Sequence, residues 1–143
     1  MSSVRLAQTG TQNVLVLDTH ALIYDALAPA RLSARARKAI EGAAAKRELA
    51  CCDISLWEIA MLIARDRLDP GMDAGQFLDD LIAARRLQVL PITSEIAVLS
   101  QSDAFAHGDP ADRLIAATAL LHRAPLVTSD AKLRKLQSIS TVW

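Results

Sequence analysis

"VLVLDTHALI", residues 14–23, sets four apolar side chains in a row and then a carboxylate, Asp18. A short apolar run without alternation is what a strand buried on both faces looks like, as in a parallel sheet covered by helices. The acid that closes it has two readings. It can cap the helix that begins near Thr19, or it can be one of several acids that hold a cation.

Working outward, three more runs have the same character: "ELACCDI" (48–54), "LQVLPI" (87–92) and "PLVTSD" (125–130). The tail "SISTVW" (138–143) offers a fifth strand at an edge. Between them lie helical patterns. One starts after Ser33 in "LSARARKAIEGAAAKR", one is "SLWEIAMLIARDRL" (55–68), and others begin at Asp73, Ser94 and Asp109. Strands alternating with helices predict an α/β fold, a three-layer α/β/α sandwich around a central, mainly parallel sheet of four to five strands. The 143 residues are expected to form one domain over residues 13–143, with a short N-terminal extension over residues 1–12.

Composition narrows the classes. Hydrophobic residues make up 52% of the chain and aromatics 3%, so the core must be aliphatic. Sixteen basic residues balance sixteen acidic ones, so the whole molecule has no strong field for polyanions. Nucleic acid would have to be met by a local basic patch or through a metal. Cys51 and Cys52 are adjacent, poorly placed to pair, and read as small buried residues of a reducing compartment. No Cys/His spacing suggests zinc. The first residues lack the apolar segment of a signal peptide, and no apolar run approaches the roughly 18 residues of a membrane span. A soluble cytoplasmic protein, without a membrane partner, is expected.

The acids carry the chemistry. In open parallel sheets the binding crevice lies beyond the carboxyl ends of the strands. Asp18 ends the first strand and Asp130 the fourth, while Glu58 and Asp112 fall in first turns of helices. Each has a structural alternative. Ser55-Leu-Trp-Glu58 has the form of a capping box, and Asp109-Pro110 fits an N-cap followed by proline. Asp112 suits a helix dipole, and Asp130 can cap the turn after it. Those alternatives leave unexplained why so many acids would gather at one edge. Clustered carboxylates repel and persist when a cation neutralises them or one is protonated. A hard ion such as Mg²⁺ or Mn²⁺ takes oxygen ligands, and the arrangement predicts metal-dependent hydrolysis of a phosphodiester. Thr19, Thr128 and Ser129 are hydroxyls beside these acids, suited to orienting them. His20, His107 and Arg113 lie near the same edge. Trp57 reads as core or dimer contact.

"LVLDTHALIYDAL", "DISLWEIAML", "HGDPADRLIAATAL" and "LVTSDAKL" together resemble, in order and spacing, the PIN-domain ribonucleases, above all the VapC-type toxins of bacterial toxin–antitoxin modules. The similarity runs from about Val14 to Trp143. It implies a catalytic, metal-binding set of Asp18, Glu58, Asp112 and Asp130, with Asp109 left open as a site residue. Ala111 and Gly108 stand where that branch commonly has Phe and a basic residue. It further implies a Mg²⁺- or Mn²⁺-dependent endoribonuclease with an RNA substrate, a homodimer, and a cognate VapB-like antitoxin that lays a segment across the acidic groove. An acidic pocket is a natural receptor for an arginine or lysine. Arg31, Arg35, Arg37 and Lys38 read first as a solvated helix face, with a basic patch that flanks the acids and holds RNA as the alternative.

Two other classes stay in view. An Asp-nucleophile phosphatase would use Asp18, but the haloacid-dehalogenase type wants a second Asp where this chain has His20, and receiver domains want an acid pair. A PIN-like binding module without catalysis would keep the fold and tolerate loss of Asp18.

Overall fold

The computed structural model describes residues 13–105 and 108–143; the extension expected over residues 1–12, and His107, lie outside the described residues. The strands are β1 (Leu15–Leu17), β2 (Leu49–Cys52), β3 (Gln88–Leu90), β4 (Leu126–Val127) and β5 (Thr141–Val142). They form one sheet in the order β3-β2-β1-β4-β5. Every pairing is parallel, with Val16 opposite both Ala50 and Leu126. The tail therefore does add an edge strand, beside β4.

The helices are α1 (Thr19–Leu27), α2 (Ala34–Ala45), α3 (Ile54–Ala64), α4 (Ala74–Arg85), α5 (Ser94–Leu99), α6 (Pro110–Leu121) and α7 (Ala131–Arg134). Ser33, Asp73 and Asp109 cap α2, α4 and α6 through their side chains. Each satisfies amides that the first turn of a helix leaves unpaired.

Successive residues of β1 face opposite sides of the sheet. Val14, Val16, Ala50, Cys52 and Leu126 pack with Ile96 of α5, Ile115 of α6 and Leu133 of α7. Leu15, Leu17, Leu49, Cys51 and Val127 pack with Leu22, Ile40, Ile59 and Phe77 of α1 to α4. This is the three-layer sandwich, with an aliphatic core on each side. Cys51 and Cys52 sit in different cores and are both free thiols. Burial pushes the Cys51 thiol up to about 12 and raises Cys52 as well, so both stay protonated.

Parallel pairing brings all the strand exits to one edge. Asp18 follows β1, Asp53 follows β2, and Thr128 to Asp130 follow β4. Helices α3 and α6 start at this edge, since α3 leaves β2 and α6 returns to the amino end of β4. The edge is thus supplied with both carboxylates and helix N-termini.

Candidate active site

Asp18 is 6% exposed. It caps α1, with Oδ1 accepting the Ala21 amide at 2.8 Å, and its own N–H donates to the Val127 carbonyl at 3.1 Å. Burial raises its carboxyl above the ordinary carboxylate range. Hydrogen bonds from Thr128 and Ala21 and the nearby His20 pull it back, while Asp130 pushes it further up. Capping and membership of an acidic group are therefore compatible. The cap fixes one oxygen and orients the other.

Thr128 is fully buried and connects two of the acids. Its Oγ1 accepts the Asp130 amide at 3.0 Å, and its hydroxyl donates to Asp18. Asp130 caps α7, with Oδ1 accepting the amides of Lys132 and Leu133 at 2.8 and 3.0 Å.

Glu58 does not close the capping box that Ser55-Leu-Trp-Glu58 suggests. The N-cap of α3 is Asp53, which makes no side-chain cap bond, and Ser55 is completely buried one residue into the helix. Thr19 instead donates to Glu58 Oε1 at 2.5 Å and lies 3.0 Å from Ser55 Oγ. Thr19 has one hydroxyl proton. The carboxylate takes it, and the Ser55 proton closes the contact behind. A buried two-hydroxyl relay thus aims Glu58, and Ser55 is the member that sequence reading missed. Its S-x-x-E spacing was a real signal with a different meaning. Asp53 was also missed. Its Oδ2 accepts the Ile92 amide at 3.2 Å, and its N–H donates to the Leu90 carbonyl at 3.0 Å, pinning the exits of β2 and β3 together.

Asp109 is exposed, and its Oδ1 accepts the amides of Ala111 and Asp112 at 2.9 and 3.2 Å. Asp112 is half-buried in the first turn of α6 and, like Asp18, is strongly perturbed. Burial first, then Asp109, Asp130, Glu58 and Asp18 in turn, push its carboxyl up to about 7. The fold has brought the acids of four separate segments into one field. Among the described residues no three of them already meet at the spacing of a metal coordination shell.

The remaining candidates make other contacts. Arg113 Nε donates to the Ser100 carbonyl at 2.8 Å, tying α6 to the end of α5. His20 is exposed, its ring 6.1 Å from that of Tyr24. Ser129 is exposed. The contacts of the basic residues favour the solvated face over a patch flanking the acids. Arg31 stacks on Tyr24 at 4.5 Å, and Arg37 donates to the Pro29 carbonyl at 2.8 Å. Lys38 lines a groove with Asn13 and Pro125, which enter β1 and β4 at the opposite end of the sheet. Helix α2 descends to that end, which carries Lys38 and Lys46 away from the acids.

Comparison with known proteins bears on the family and the fold. The PIN-domain model matches residues 15–138. The chain is 37% identical over 132 residues to Ribonuclease VapC22 of Mycobacterium tuberculosis (strain ATCC 25618 / H37Rv), covering 90% of this chain and 98% of that protein. VapBC2 from Rickettsia felis, solved bound to a DNA fragment from the promoter, superposes with a TM-score of 0.68 at 18% identity, covering 90% of this chain and 96% of that one. FitAcB from Neisseria gonorrhoeae gives 0.59 at 21% identity, again over 90% and 96%. At such identities the two structures establish likeness of fold.

Proposed function

We propose, from a chain that belongs to the PIN-domain family, that this protein is a metal-dependent endoribonuclease and the toxin of a VapBC-type pair. The observation that carries the proposal is Asp112. A carboxyl pushed up to about 7 by burial and by four further acids marks a cluster whose mutual repulsion a bound cation would relieve. The relative's name, a ribonuclease with near-complete coverage, supports RNA as the substrate.

Asp18, Glu58, Asp112 and Asp130 are the acids we assign to catalysis and to holding Mg²⁺ or Mn²⁺. The donor set fits, because carboxylate oxygens are what a hard divalent ion takes. When bound, such an ion neutralises charge building on the phosphodiester and lowers the pKa of the attacking water. The chain's own contribution is orientation. Asp18 is held by its cap and by Thr128, and Glu58 is aimed by Thr19. Asp112 stands at a helix N-terminus, whose dipole favours the charged form. Asp109 serves chiefly to cap α6.

Two surfaces support the expected partners. Trp57 on α3 is 58% exposed and Val98 on α5 is 74% exposed, and both helices pack against α6. Side chains of this size left in solvent support a homodimer, and Trp57→Glu should give a monomer by light scattering. A groove of about 330 Å³ between α1 and α4, lined by Leu22, Leu27, Met72, Phe77 and Leu81, is suited to an apolar antitoxin segment. No helix among the described residues is long and apolar enough to cross a membrane. Free cysteines and an RNA substrate fit a cytoplasmic location.

The test is cleavage of total cellular RNA by the purified, antitoxin-free protein, with Mg²⁺ or Mn²⁺ and with EDTA. Wild type should give discrete products that need both metal and Asp18. Metal-loaded, folded wild type that leaves RNA intact would sink the nuclease and favour a binding-only module.

A further inference from the structure

Four non-glycine residues of the described chain have positive φ: Arg47 (58°), Asp66 (56°), Arg86 (52°) and Arg123 (53°). Three are arginines. Each ends a helix and leads straight into a strand, α2 into β2, α4 into β3 and α6 into β4. The three turns share one hydrogen-bond pattern. The arginine amide donates three residues back, to Ala44, Ala83 and Leu120, and the next amide donates five back, to Ala43, Ile82 and Ala119. Such helix endings take glycine most readily, because an L side chain is strained in the left-handed region. Asp66 closes the one such turn that joins α3 to another helix.

A cation near a helix C-terminus is favoured by the dipole. That accounts for charge in the last turn, which any preceding residue could carry. It leaves unexplained why arginine takes the strained position three times. Parallel pairing then sets all three at the amino end of the sheet, opposite the acids. With the order β3-β2-β1-β4, the strands these turns lead into span three strand spacings, about 14 Å, with Arg86 and Arg47 entering from one face of the sheet and Arg123 from the other. All three are exposed. Arg123 lines a broad groove with Lys38 and Lys46, where Glu48 is the opposing acid. Arg47 and Arg86 line a second with Arg85, which is itself neutralised by Asp25 and Glu41 at 2.8 and 2.9 Å. The last turn of α2 separates the two grooves. The acids of the site and these three arginines thus lie at opposite ends of the sheet.

We infer that these three arginines are a phosphate-backbone contact for RNA, a second binding surface remote from the acids. The inference rests on the ribonuclease reading and deepens it. From Asn13 to Asp18 is about 17 Å of extended chain, so an RNA engaging both ends must run along the molecule. Short oligonucleotides would reach only the acids. The substrates favoured would be long or structured RNAs.

The test uses the triple variant Arg47→Gly, Arg86→Gly, Arg123→Gly and the matching triple Arg→Lys. Binding of a labelled mixed-sequence RNA in EDTA is followed by anisotropy as salt is raised. Losing three phosphate contacts should flatten the log–log salt slope by about 2, which is about 15-fold in affinity across a fourfold change in salt. The lysine triple should keep the slope. With metal, the glycine triple should raise KM for long RNA, leave kcat alone, and cleave a short oligonucleotide like wild type. Its Tm should hold or rise, since glycine relieves the left-handed strain. An unchanged slope and KM, in a wild type that does cleave RNA, would overturn the arginines as an RNA surface and leave an acidic protein as their partner. A lower Tm with unchanged RNA binding would make the arginines structural. A wild type that neither binds nor cleaves RNA would remove the nuclease reading, and this inference with it.

Discussion

Replacing Asp112 by asparagine should stabilise the metal-free protein while ending catalysis. The carboxyl ordinarily titrates at 3.8, and its surroundings push it up to about 7. At roughly 1.4 kcal/mol per tenfold, full expression of that difference would be about 4 kcal/mol of penalty on the charged form. The side chain is only half-buried, and solvent screens the four neighbouring acids, so about 1–2 kcal/mol is the realistic share. Loss of a carboxylate from the start of α6 gives back about 0.3–1 kcal/mol. The net gain of about 1 kcal/mol corresponds to roughly 3 °C in Tm for a chain of this size. The sign follows from proton linkage. The folded state holds its proton to higher pH than the unfolded chain, so stability falls as pH rises from about 4 to about 7. Above that the penalty is complete. Melting in EDTA at pH 8 should therefore favour Asp112→Asn, and at pH 5 the advantage should shrink. Adding Mg²⁺ or Mn²⁺ should raise the wild-type Tm in proportion to occupancy and leave the variant nearly unmoved. A variant less stable than wild type at pH 8 without metal, or a gap that widens at pH 5, would refute the electrostatic reasoning.

Asp18→Asn should lose RNA cleavage yet melt close to wild type, because asparagine caps α1 as well as aspartate does, whereas Asp18→Ala should melt lower by about 1 kcal/mol in addition to losing activity. Thr19→Val, which keeps the shape and removes the hydroxyl that aims Glu58, should lower kcat about 10- to 100-fold; stopped-flow cleavage at saturating RNA distinguishes this from weaker binding. Removing residues 140–143 strips two amide bonds from β4, those of Leu126 and Thr128 to Ser140 and Val142, together with Val142 and Trp143 packing. A loss of about 2–4 kcal/mol in denaturant unfolding is expected, with activity of the folded fraction retained. Lost activity at unchanged stability would contradict that assignment.

The fold was legible because its signals are local. Four unalternating apolar runs can be buried only in a sheet covered on both faces, and Ser33, Asp73 and Asp109 announce helix starts through short-range bonds that the structure forms. The sequence alone also picks out Asp18, Glu58, Asp112 and Asp130 as acids placed at strand exits and helix starts. The pairing of side chains across segments was not legible. Ser55-x-x-Glu58 reads as a capping box at short range, but the 36 to 39 residues separating Thr19 from this pair say nothing of the contact that overrides it. Likewise the basic look of α2 left cations beside the acids open as an alternative. The direction in which α2 descends to β2 sends Lys38 and Lys46 to the other end of the sheet. Left-handed arginines leave no mark in composition or periodicity, because φ is set by the turn that closes each helix. Sequence by itself determined the elements and the layers, since these follow from burial and capping within a few residues. Only the tertiary structure decided which hydroxyl aims which carboxylate and where the opposing charges lie, since those depend on strand order and on chain that returns from far away.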